Sequence, residues 1–169
     1  GQSFPLFVPI IAAVAAGGLF GLFNGYLIAY GKLPPFIATL GSMSIAKGLQ
    51  LIYTKAAVVG SLNQNFKNIS QGSVGPVPNL IIYVIIAAFI VWVFLRHTRQ
   101  GTHFYAIGGN SQAARVSGIN VERDLMMVYF YAGLLYGIAG TLLASRLGLA
   151  NSLTANGMEL DAIAAVTVG

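Results

Sequence analysis

The stretch Asn79 to Leu95, NLIIYVIIAAFIVWVFL, holds seventeen residues without a charge and is apolar on every side. A helix of that composition has no polar face to turn toward water, so the constraint it sets is one of solvent. A membrane span needs about 20 mostly apolar residues, with a lower limit of roughly 17, and this run sits at that limit. Gly1 to Gly31 is likewise free of charge. Only 8% of all residues are charged and the mean hydropathy is +0.76, against roughly a quarter charged in a soluble domain. The chain is therefore read as an all-α, polytopic transmembrane helical bundle.

Four spans are expected, at about residues 4–30, 36–53, 80–95 and 125–144, with a further membrane segment opening at 160–169. All belong to one transmembrane domain over residues 1–169. The loop 96–124 contains Arg96, Arg99, Arg115 and Arg123, whereas the loop 55–78 contains Lys55 and Lys67 only. The positive-inside rule puts the Arg-rich loop in the cytoplasm. Alternation then places Lys32 inside and the 55–78 loop outside. Trp92 and Tyr83, near opposite ends of the third span, fit the aromatic belts of the two interfaces, as they also fit simple packing. No basic n-region precedes the first apolar run and the last begins without room to span, so a piece from the interior of a longer chain is expected.

Within the spans, Gly17, Gly21 and Gly25 recur every fourth residue, as do Gly133 and Gly137. Faces without side chains let helix backbones approach closely where lipid supplies no hydrophobic drive. These glycines are expected to pack helices. Asn24 lies among them, and a carboxamide at membrane depth needs a partner: either a neighbouring helix or a watery translocation path. Pro34 and Pro35, in KLPPF, allow a helix start or a re-entrant break.

Catalytic constellations are missing. With no cysteine, thiolate chemistry and cysteine metal sites are excluded. His97 and His103 stand in a basic stretch with no acidic residue nearby in sequence and lack zinc-site spacing, and are read as surface histidines. Glu159 and Asp161, two residues apart, point away from each other on a helix and cannot act as an acid/base pair; a capping or interface role is expected. No Gly-Lys-Ser/Thr phosphate loop occurs, so energy for uphill movement has to enter through a partner. The excess of nine Lys and Arg over four Asp and Glu is scattered singly, which fits membrane topology and not nucleic acid.

One polar stretch stands out against this background: YAIGGNSQAARVSGINVERD, Tyr105 to Asp124. Asn110 is a good N-cap, Ser111 to Ser117 supply about two helical turns, and Gly118 is placed for a left-handed C′ position. Helices shorter than about 12 residues are marginal in water, so this one has to be propped by contacts. Ala113, Ala114 and Ser117 make it slim enough to enter a groove, and Arg115 can anchor it to a carboxylate.

LPPFIATLGSMSIAKGL, RHTRQGTHFYAIGGNSQAARVSGINV and ELDAIAAVTVG resemble the matching segments of the permease subunits of bacterial ABC importers for monosaccharides, of the ribose and galactose/methylgalactoside type. The resemblance covers essentially the whole chain and corresponds to the middle of a permease about twice this length. It implies a channel-forming subunit of the inner membrane, paired with a second permease copy, cytoplasmic ABC ATPases that bind the ATP, and a periplasmic sugar-binding protein. No cofactor of its own is implied. It further implies that Asn110 to Asn120 form the coupling helix that docks into the ATPase. Two alternatives stay open: a permease of the same superfamily for branched-chain amino acids or nucleosides, and a membrane-embedded enzyme or ATPase-independent carrier.

Overall fold

The computed structural model describes residues 7–55, 57–58, 60, 62–151 and 155–168. The elements among them are α1 (Phe7–Ala29), α2 (Pro35–Thr54), α3 (Gln64–Gln71), a hairpin of β1 (Ser73–Val74) and β2 (Val77–Pro78), α4 (Asn79–His97), α5 (Arg99–Gly109), α6 (Ser111–Val116), α7 (Val121–Leu147) and α8 (Met158–Val168). The hairpin, with Val74 opposite Val77, merely joins α3 to α4. The fold is all-α.

Among the described residues three helices, α1, α4 and α7, are long and apolar enough to cross a bilayer. The second expected span forms α2, which has the length at 20 residues but carries Ser42, Ser44, Lys47 and Gln50 between its apolar residues. The helices overrun the apolar segments: α4 continues through Arg96 and His97, and α7 begins at Val121, ahead of Glu122 and Asp124. Helical hydrogen bonding has no reason to stop where hydrophobicity does. Residues 4–6 of the first expected span lie outside the described residues. α8, at 11 residues, reaches about 16 Å, short of a hydrocarbon core of about 30 Å.

Two prolines settle how α2 begins. Pro34 is extended at φ −55° and ψ 129°, and Pro35 occupies the first helical turn, where a missing N–H is no loss. KLPPF is a helix start.

The bundle is organised around α7. Its Gly133, Gly137, Thr141 and Ser145 form a buried stripe at every fourth position. α1 runs antiparallel along the first half of that stripe: Gly17 faces Gly133 and Gly137, Gly21 faces Tyr129 and Gly133, and Gly25 faces Met126. A β-carbon at Gly17 or Gly21 would collide with the carbonyl oxygens of Gly133 and Tyr129 respectively. Close backbone approach is thus obligatory here, and it gives van der Waals contact that lipid tails cannot match.

The second half of the stripe meets α3. Ser145 is 0% exposed; its hydroxyl donates to the Phe66 carbonyl at 2.6 Å and accepts from the Ser70 N–H at 3.1 Å. Ser70 donates in turn to the Leu142 carbonyl at 3.0 Å, and the Gln71 amide to the Arg146 carbonyl at 2.9 Å. Carbonyls at a helix C-terminus lack intrahelical donors, and the Gln71 amide supplies one. The 55–78 segment, expected as a loop, therefore contains a helix stapled to the far end of α7.

Candidate functional site

At the other end of the bundle the Arg-rich segment, expected as a loop around one short helix, holds two helices and a corner. Thr98 closes α4 and opens α5: its hydroxyl donates to the Phe94 carbonyl at 2.7 Å and accepts from the Gly101 N–H at 3.1 Å. A β-carbon at Gly101 would collide with the Leu95 carbonyl, so glycine is what lets α5 fold back so tightly. Phe94, Phe104 and Tyr131 then join α4, α5 and α7 in an aromatic cluster, with the Phe94 and Tyr131 ring centroids 4.9 Å apart. Tyr131 donates to Gln100 Oε1 at 2.8 Å.

α6 follows this frame. Asn110 caps it, its Oδ1 accepting from the N–H groups of Gln112 and Ala113 at 3.0 Å each. At its far end the Ile119 N–H reaches the Ala114 carbonyl at 3.1 Å and the Gly118 N–H the Arg115 carbonyl at 3.0 Å. That is the two-bond Schellman stop, and it requires the left-handed conformation that Gly118 adopts at φ 86°. Ser117, the last residue of the expected helix, is its C-cap. Asn120 then caps α7 by accepting from the Arg123 N–H at 3.0 Å. Two asparagine caps and one glycine stop thus hold a helix of 6 residues.

The side chains of α6 divide between two faces. Ala114 is 4% exposed and turned into its own chain, where the sequence had offered it to a groove. Arg115 does meet a carboxylate, but that of Glu122 in the same chain, in the first turn of α7. Ser111, Gln112, Ala113 and Ser117 are exposed, and Val116 is 90% exposed. His103 corrects the sequence reading outright. Its Nδ1 lies 2.8 Å from Oδ2 of the buried Asp124, an acidic partner 21 residues away in sequence that only the fold-back of α5 brings near.

Asn24 is placed against a helix: its Oδ1 accepts the hydroxyl of Ser42 on α2. Glu159 caps α8 locally, accepting from the Gly157 N–H at 3.0 Å. Sequence reasoning missed Thr98, Gly101, Gln100, His103, Asp124 and Tyr131 as parts of this frame. Thr98 followed three residues later by Gly101 is a readable cap signal; the rest depend on α5 being a helix.

The family described as branched-chain amino acid transport system / permease component matches residues 2–169. The chain is similar to the galactose/methyl galactoside import permease of Haemophilus influenzae, with 42% identity over 172 residues, 98% of this chain and 51% of that protein. It is similar to the ribose import permease of Bacillus subtilis, 45% identical over 148 residues, 86% of this chain and 46% of that one. The D-allose transport system permease of Escherichia coli is 36% identical over 165 residues, 98% of this chain and 51% of the relative. The chain spans about half the length of these curated relatives. No solved structure matches it significantly. A family match over nearly every residue joins several apolar helices of bilayer-crossing length: the chain belongs to this family of membrane transport permease components, and is a multi-pass membrane protein.

Proposed function

We propose that the chain forms part of the permease of an ATP-driven monosaccharide importer in a bacterial inner membrane. It would work with a separate ABC ATPase in the cytoplasm, a periplasmic sugar-binding protein and a second permease copy. The observation that carries the substrate class is the set of relatives at 36–45% identity, each named for import or transport of a hexose or ribose. The Arg-rich end, with Arg96, Arg99, Arg115 and Arg123, faces the cytoplasm by the positive-inside rule, and α2 crosses the bilayer beside α1.

In this reading α6 is the coupling helix, spanning Asn110 to Asn120 with its caps. Successive residues turn by about 100°, so with Ala114 inward the face presented to the ATPase is Gln112, Ala113 and Val116. Val116 is the apolar knob. Arg115 serves the permease itself, tying α6 to α7 through Glu122, while His103 and Asp124 tie α5 to α7. Closure of the ATPase on ATP would move α6, its frame and α7 as one body. The 27 residues of α7 carry that movement about 40 Å, along α1, to the far end where α3 sits.

A rival substrate, branched-chain amino acids, is favoured by the family's printed description and is separated by the ligand of the cognate binding protein. The deciding experiment expresses the full-length permease with its ATPase and measures sugar uptake in membrane vesicles and ATPase recovery on purification. Val116→Asp should leave insertion intact while uptake, sugar-stimulated hydrolysis and recovered ATPase fall together. Wild-type behaviour by Val116→Asp would remove α6 as the coupling element.

A further inference from the structure

A cleft of about 260 Å³ opens between α2 and the end of α7 remote from the Arg-rich helices, close to the lower bound of about 300 Å³ for small-molecule sites. It is lined by Lys47 and Gln50 of α2, by Leu143 and Leu147 of α7, and by Asn151 and Asn156 after α7. Lys47 and Gln50 are three apart and so share a helix face. In the topology proposed above α2 crosses the bilayer, and an ammonium in a membrane-spanning helix is costly and by default marks a functional path. The ion pairs among the described residues are His103 with Asp124 and Arg115 with Glu122, and Lys47 is in neither.

We propose that this cleft is a sugar-binding station on the transport path, in which Lys47 and Gln50 bond the hydroxyls of a neutral monosaccharide. This rests on the importer reading above. An ammonium brings three donors and a carboxamide two donors and an acceptor, a set that matches vicinal hydroxyls able to donate and accept. The leucine side chains that line the cleft suit the C–H face of a pyranose or furanose ring. Among the described residues no carboxylate lines the cleft to receive the ammonium group of an amino acid; Glu159 is engaged with the Gly157 N–H. The larger cavity between α4 and α7, about 480 Å³, is walled by residues such as Ile90, Phe94 and Leu135 with only apolar surface and offers a polyol no bond.

Gly140 supplies an independent handle. It lines the cleft, and a β-carbon there would meet no atom within 4 Å, so a side chain can start from this position without colliding with a neighbouring backbone. The test reconstitutes the full-length permease with its ATPase and binding protein in proteoliposomes, with D-galactose, D-ribose and D-allose as probes. Lys47→Met should lower uptake about tenfold, the effect of losing one strong interaction, and Gly140→Phe should lower it by filling the cleft, while sugar-stimulated ATP hydrolysis and ATPase recovery persist. Lys47→Arg, which keeps donors at that position, should retain most of the uptake. Uptake at wild-type rate by both Lys47→Met and Gly140→Phe overturns the proposal, as does parallel loss of hydrolysis and uptake. If the unaltered permease imports none of the three sugars but imports leucine, the importer reading itself fails, and the station with it.

Discussion

His103 Nδ1 and Asp124 Oδ2 lie 2.8 Å apart, with side chains 39% and 12% exposed. The contact is asymmetric, and so is the cost of breaking it. Removing His103 leaves a buried carboxylate without its partner, a penalty of about 1–3 kcal/mol or more. Removing Asp124 leaves a half-exposed imidazole that water can serve. His103→Ala should therefore lower the thermal stability of the full-length protein in detergent more than Asp124→Ala does. The double variant should resemble Asp124→Ala alone, a coupling readable in a double-mutant cycle; additive effects would show that the two side chains do not interact.

Gly133→Leu forces side-chain volume into the α1 contact, where overpacking costs about 1–3 kcal/mol. A β-carbon at Gly41, in α2, would meet no atom within 4 Å, so Gly41→Ala should be neutral or stabilising by about 0.5–1 kcal/mol. Folded yield and melting temperature in detergent check both. Equal tolerance at the two sites would mean that α1 and α7 do not touch as described.

At the far end, Ser145→Ala deletes the acceptor of the Ser70 N–H and the donor to Phe66. Leaving a buried donor unsatisfied costs about 1–3 kcal/mol. Hydrogen exchange should rise over Gln64–Gln71 and stay unchanged over Ser111–Val116, since the two lie at opposite ends of α7. Unchanged exchange in α3 would show that its attachment rests on other contacts.

Orientation is checked by single cysteines in the cysteine-free chain. A cysteine at Gln112 should resist an impermeant thiol reagent in intact spheroplasts and one at Asn65 should react. The reverse pattern would invert the topology and move α6 away from any cytoplasmic ATPase. Ala114→Trp, at a buried position, should reduce folded protein as well as uptake, unlike Val116→Asp.

How far the sequence went can be seen residue by residue. The apolar runs announced α1, α4 and α7 because lipid tolerates little else, and Asn110 with Gly118 announced α6 because caps act through their immediate neighbours. α5 was hidden: Gly101, Gly108 and Gly109 argue against a helix, and Phe104 on Phe94 and Tyr131 outweighs them only once the chain has folded back. α3 was hidden for the same reason, since its anchor, Ser145, is 75 residues from Ser70. The inward turn of Ala114 and the pairing of Arg115 with Glu122 depend on the angle at which α6 meets α7, which no local pattern encodes.

The reciprocal contact of Gly17 with Gly133, in which a β-carbon on either residue would overlap the carbonyl oxygen of the other, also has a genetic consequence. Every missense change at either codon adds at least a β-carbon, and the usual remedy, a second-site change that shrinks the opposing residue, does not exist because that residue is already glycine. Defects here should revert at the original codon or through shifts that spread the two helices elsewhere. Drift along a lineage therefore has to carry both positions unchanged, while Gly41, where an added β-carbon would meet no atom within 4 Å, is free to wander.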